Sequence, residues 1–148
     1  MKTQVFLASA LLAGSLGIIS CKKSKEKPAS ISGPWAIKRV QFQEYKVGVL
    51  SRDSVQEFGP ADTAIATFHT DNSYRISRKI ISFINDTGSY IQGRTTIQLD
   101  VIFENGTRMN VPGDYAITGN EMTINISQNE TRQDGQYHYK NTLLLSRL

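Results

Sequence analysis

The chain has 148 residues, with 17 Lys and Arg against 13 Asp and Glu, a formal net charge of +4, 9% aromatic residues and a single cysteine. One cysteine excludes an internal disulfide and a cysteine-cluster metal site. The positive balance is local: from Pro28 to Leu148, 12 basic residues meet 12 acidic ones, so the domain has no basic face of the kind that recognises nucleic acid.

At the N-terminus, Lys2 precedes a mostly apolar run from Val5 to Ile19 and a short polar junction at Ser20-Cys21, the three parts of a secretory signal. The run is 15 residues long, whereas a membrane-spanning helix needs about 20. Ile18-Ile19-Ser20-Cys21 resembles the lipobox of bacterial lipoproteins. That resemblance implies cleavage before Cys21 and transfer of a diacylglycerol to its thiol, which leaves no free thiol in the mature chain. Several acyl chains on one residue anchor a protein stably, where a single chain does so marginally. An ordinary secreted chain with an incidental cysteine is the other reading.

Residues 22–32, KKSKEKPASIS, are polar, have no apolar period and contain Pro28, and so read as a flexible basic tether. Residues 1–20 are thus expected to be a removed signal peptide, 21–32 a lipidated cysteine and tether, and 33–148 one domain. Lys22, Lys23, Lys25 and Lys27 beside a lipid anchor favour anionic headgroups by about 1 kcal/mol each at most.

From Trp35 onward the pattern is β. Trp35 and Ile37 share one phase and Val40 and Phe42 the opposite one; a similar slip separates Tyr74 and Ile76 from Ile81 and Phe83. Phase changes of this kind mark bulges where a sheet curls round its own core. Ile97, Leu99, Val101 and Phe103 alternate with polar residues, as do Met122, Ile124 and Ile126, which predicts two half-buried strands. Turns are expected at Asp71-Asn72, Asp86-Thr87-Gly88, Glu104-Asn105-Gly106, Thr118-Gly119-Asn120 and Asp134-Gly135. No helical stripe of useful length appears, so parallel βαβ topology is excluded and eight to ten antiparallel strands are predicted, the last running from Tyr137 to Leu148.

Gly33-Pro34-Trp35, Thr67-Phe68-His69-Thr70-Asp71-Asn72-Ser73-Tyr74, Gly113-Asp114-Tyr115-Ala116-Ile117, Gly119-Asn120-Glu121-Met122-Thr123-Ile124 and Leu143-Leu144-Leu145-Ser146-Arg147 follow one another in an order that resembles the lipocalin-like domains of Gram-negative lipoproteins. The segment from Arg78 to Val111 is longer than that pattern. The resemblance implies an all-β, up-and-down antiparallel barrel, with Trp35 closing one end and Arg147 packed across its ring. It also implies a small apolar or amphipathic ligand held in the barrel mouth, for which strand alternation nominates Phe68, Tyr74, Leu99, Val101, Met122, Ile124 and Tyr139. The alternative is a structural or interaction module of the cell envelope that binds a protein or a glycan.

Catalysis is not expected. His69 and His138 are the only histidines and have no evident third ligand for zinc; no metal and no cofactor are expected. Tyr137-His138-Tyr139-Lys140, the densest aromatic and basic stretch, reads first as an amphipathic last strand and second as a ligand or glycan face. Sequons at Asn85, Asn105, Asn125 and Asn129 carry little meaning beside a lipobox, and Ser54 and Thr63 sit in D-[ST]-aliphatic patterns that resemble a bacterial O-glycosylation acceptor. The expected partner is a membrane, through the lipid, and the basic tether points to the periplasmic side of the outer membrane.

Overall fold

A computed structural model describes residues 29–78, 87–102 and 108–148. The signal, Cys21, most of the tether, Ile81, Phe83, Asn85, Phe103 and the expected turn at Glu104-Asn105-Gly106 lie outside them.

The described chain forms nine strands: β1 (Gly33–Lys46), β2 (Val49–Glu57), β3 (Ala64–Phe68), β4 (Ser73–Ile76), β5 (Thr87–Gln92), β6 (Thr96–Ile102), β7 (Arg108–Thr118), β8 (Glu121–Arg132) and β9 (Gly135–Arg147). From β3 to β9 each strand pairs antiparallel with the next; β1 pairs with β3 on one side and β9 on the other, closing an eight-stranded barrel. Closure gives every strand of the barrel a neighbour on both sides, though not along its whole length.

The alternating residues build the core. Ile97, Leu99 and Val101 on β6 and Met122, Ile124 and Ile126 on β8 are all buried, facing Trp35, Ile37 and Val40 on β1 and Leu143 and Leu145 on β9. The β1–β9 register shifts between Ile37 and Arg39. Lys38 is therefore an extra residue in β1, and the bulge returns Val40 to the inner face after the change of phase.

β2 is the ninth strand and lies outside the barrel. β1 runs with β3 only from Gly33 to Ile37; from Arg39 to Lys46 the same edge is taken by β2, while β9 stays beside β1 throughout. On the other side, β7 and β8 pair only from Gly113↔Ile126 to Thr118↔Glu121. The wall parts there for a local reason: Pro112, with no N–H to donate, sits one residue beyond the last pair. Gly113 also brings β7 so near β8 that a Cβ would stand 2.6 Å from the Asn125 carbonyl oxygen. A four-stranded sheet, β2-β1-β9-β8, thus continues past the barrel at one end.

Two turns differ from expectation. Thr87 and Gly88 belong to β5 instead of a turn, and Gly88 is required because the Tyr74 ring lies against it where a side chain would stand. The β1–β2 connection at Val47-Gly48 lacks the Asn or Asp that signals a hairpin, yet both residues have positive φ, +49° and +78°. A β-branched residue in that region is strained.

Candidate functional site

The two ends of the barrel differ. At one, residues 29–32 fold back across the opening. Ile31 and Trp35 have no exposed surface. The indole Nε1–H of Trp35 donates to the Ile31 carbonyl at 2.7 Å, and the Arg147 guanidinium lies 4.5 Å from the indole centroid while donating to the Ser30 carbonyl at 2.9 Å. Gln92 Nε2 donates to the Ala29 carbonyl at 2.7 Å and to the Tyr115 hydroxyl at 2.6 Å, and that hydroxyl donates to the Gly93 carbonyl at 3.0 Å. Trp35, Gln92, Tyr115 and Arg147 thus each have a partner, so burying them here costs little.

Between the ends the barrel is full. Phe68, Tyr74, Leu99, Val101, Met122 and Ile124 all point inward and are at most 5% exposed. Four of these, Phe68, Tyr74, Leu99 and Ile124, and their neighbours enclose a cavity of only about 20 Å³, near the size that holds one water. Met122 and Val101 do not line it. The Tyr74 hydroxyl is buried without a hydrogen-bond partner, and its pKa is pushed up to about 12, by burial first and by the Asp100 charge second.

The other end holds the remaining nominated residue. Tyr139 does not join those six; it stands on the inner face of the projecting sheet, where cross-strand register arranges side chains in layers. Above Val40, Leu143 and Ile124 come Phe42, Asn141 and Ile126, then Glu44, Tyr139 and Gln128, then Lys46, Tyr137 and Glu130. The wall thus changes from aliphatic to amide and aromatic to charged as it leaves the barrel.

The rings of this face pack on one another: Phe42 and Tyr139 with centroids 6.1 Å apart, Tyr137 and Tyr139 6.2 Å apart and within 10° of parallel. Cations cover them. Arg52 lies 5.5 Å from the Phe42 centroid, Arg132 4.6 Å from Tyr137 and 5.8 Å from Tyr139, and Lys46 5.5 Å from Tyr137. Carboxylates balance them: Lys46 meets Asp134 at 2.7 Å and Arg132 meets Glu130 at 2.8 Å. The Asp134 carboxyl is held down to about 2 by its hydrogen bonds from Lys46 and Tyr137, and Arg132 holds the Glu130 carboxyl below its ordinary value. Burial, then Glu130, raises the Tyr139 phenol.

Two groups of this face depart from this satisfaction: the Tyr139 hydroxyl and Asn141 Oδ1 are buried and have no hydrogen-bond partner among the described residues. Asn141 is 1% exposed, and an unpaired buried acceptor costs about 1–3 kcal/mol in a folded protein. Diagonally across the strand pair, Gln128 donates from Nε2 to the Met109 sulfur at 3.5 Å, its one side-chain donation among the described residues. Asn141 was readable as a polar residue in the inward phase of Tyr137, Tyr139, Leu143 and Leu145, and the alternation that nominated Tyr139 passes over it.

The other candidates stay apart. His69 lies in the β3–β4 turn at the closed end, and His138 faces outward on β9, with Nδ1 2.7 Å from Asn129 Oδ1. Among the described residues no three His, Cys, Asp or Glu side chains group as metal ligands. Ser54 is exposed on β2, whereas the Thr63 hydroxyl is engaged with the Gly59 carbonyl at 3.1 Å. No family model, no curated protein and no solved structure matches this chain.

Proposed function

We propose that the chain is a lipid-anchored binding module of a bacterial cell envelope, in which a lipocalin-like barrel serves as scaffold and recognition occurs at the end remote from the tether. The observation that carries this reading is the attachment of residues 29–32 across the Trp35 end. A chain leaving Cys21 enters the barrel at that end. Its eight residues to Ala29 reach about 27 Å when extended, and β1 then carries the chain to the opposite end.

The filled interior supports recognition at the mouth over recognition in the depth of the barrel: about 20 Å³ admits no small amphipathic molecule. The alternative reading, a module that binds a protein or glycan, is therefore preferred to a ligand carrier. The lipobox and the basic tether favour anchoring at the periplasmic face of the outer membrane.

Expressed at full length in a Gram-negative host, the protein is expected to stay with membranes through high-salt washes and to carry a mass increment from acyl chains. Cys21→Ser should release it. Equal retention of the variant, or a mature mass without acyl groups, would refute the anchoring.

A further inference from the structure

We propose that Asn141 and Gln128 hold the acetamido group of an N-acetylated amino sugar, which makes the ligand of the remote end a neutral N-acetylated oligosaccharide. This inference rests on that end being the binding end.

Asn141 Oδ1 is a buried acceptor with no donor among the described residues, and Gln128 Nε2 is a donor whose partner is a thioether sulfur, a weak acceptor. The two side chains project from the same inner face on diagonal positions of the β8–β9 pair, a spacing that one small group can bridge. That group must donate and accept at once. A secondary amide does so, its N–H to Asn141 and its carbonyl to Gln128.

The surroundings select further. Phe42 and Ile126 flank Asn141 in its cross-strand layer and Met109 lies against Gln128, so the neighbours of a methyl group held there are apolar. The charged residues of the face, Lys46, Arg52 and Arg132 against Glu44, Glu130 and Asp134, balance in number, so an anionic or cationic ligand gains nothing over a neutral one. Sugar hydroxyls, each a donor and an acceptor, match such a mixed rim. The wall is parted between β7 and β8 beside this point, and the outer surface there carries a groove of about 430 Å³ that includes Pro112, Asn125 and Ser127, a path for further sugar residues. Because Asn141 Oδ1 is covered, binding requires a side chain to move. Arg132, half exposed, pairs with Glu130 and lies over the Tyr137 and Tyr139 rings, in the layers beyond Asn141, so its displacement opens this face.

The test titrates full-length protein in detergent with tetra-N-acetylchitotetraose, its de-N-acetylated form, maltotetraose and N-acetylalanine methylamide, reading the side-chain amide NMR signals of Asn141 and Gln128. Saturable shifts with the N-acetylated sugar, and about tenfold weaker binding of the other sugars, are expected from the loss of one paired amide. Asn141→Leu, of similar volume, should raise the melting temperature, because an unpaired polar atom is removed, and should weaken sugar binding about tenfold. The sugar assignment is overturned if the N-acetylated sugar gives no saturable shift, if the de-N-acetylated form binds equally, or if Asn141→Leu lowers the melting temperature. Shifts at these residues with the methylamide alone overturn the sugar and leave the binding end in place; sugar shifts confined to the Trp35 end overturn both.

Discussion

The Trp35 end and the Asn141 end are built from the same two strands, β1 and β9, and differ in how their polar groups are treated. At the first, an indole N–H, a guanidinium, an amide and a phenol each find a partner, and the enclosed surface is sealed. At the second, charge and aromatic surface stand half exposed, and a buried amide oxygen and a buried phenol are left unpaired among the described residues. Buried groups that are fully satisfied rigidify a structure, and an unsatisfied one is stability forgone. The contrast assigns stability to the closed end and recognition to the open sheet.

Truncation should separate the ends most strongly. Trp35→Ala removes a fully buried ring and its cation partner, and a loss of about 3–5 kcal/mol is expected in denaturant unfolding. Phe42→Ala, on the same strand but half buried, should lose about 1–2 kcal/mol. Equal losses would mean that the remote sheet is core and not an added surface.

A smaller effect tests the hairpin tip. Val47 holds φ +49° and is 70% exposed, so Val47→Gly relieves strain without removing packing and should raise stability by about 1 kcal/mol. A drop in melting temperature would place Val47 in a contact that matters to folding.

The smallest effect is electrostatic. Asp134, ordinarily near 3.8, is held down to about 2, so its folded pKa lies below its unfolded one. The stability it adds is present above its ordinary pKa and is lost as pH falls from about 3.8 through about 2. Asp134→Asn should lower stability slightly above that window and leave it almost unchanged below, which flattens the acid limb of the stability curve. An unaltered acid limb would show that the Lys46 contact is not maintained in solution.

How much of this could be read in advance varied along the chain. β6 and β8 were legible because Ile97, Leu99 and Val101, and Met122, Ile124 and Ile126, each bury one face, and period-two alternation is the trace of that burial. The change of phase between Ile37 and Val40 gave away the bulge at Lys38. β2 left no trace, since all nine of its residues are exposed and a strand that buries nothing has no reason to alternate. Its turn was missed because Val47 takes a left-handed conformation normally signalled by Asn, Asp or Gly. The nominated interior residues were found as core, and the site was missed where apolar alternation stops: Asn141 keeps the inward phase and breaks the chemistry.

The central claim, that the tether joins the closed end and the opposite sheet faces away from the membrane, is open to one direct measurement. With the protein anchored natively in vesicles that contain a quenching lipid, a fluorophore is placed at Asn120→Cys, in the β7–β8 turn beside Arg147, or at Val49→Cys, on the far hairpin. Strong quenching at position 120 and weak quenching at position 49 are expected. Equal quenching at both, or stronger quenching at position 49, would contradict the assignment of the two ends.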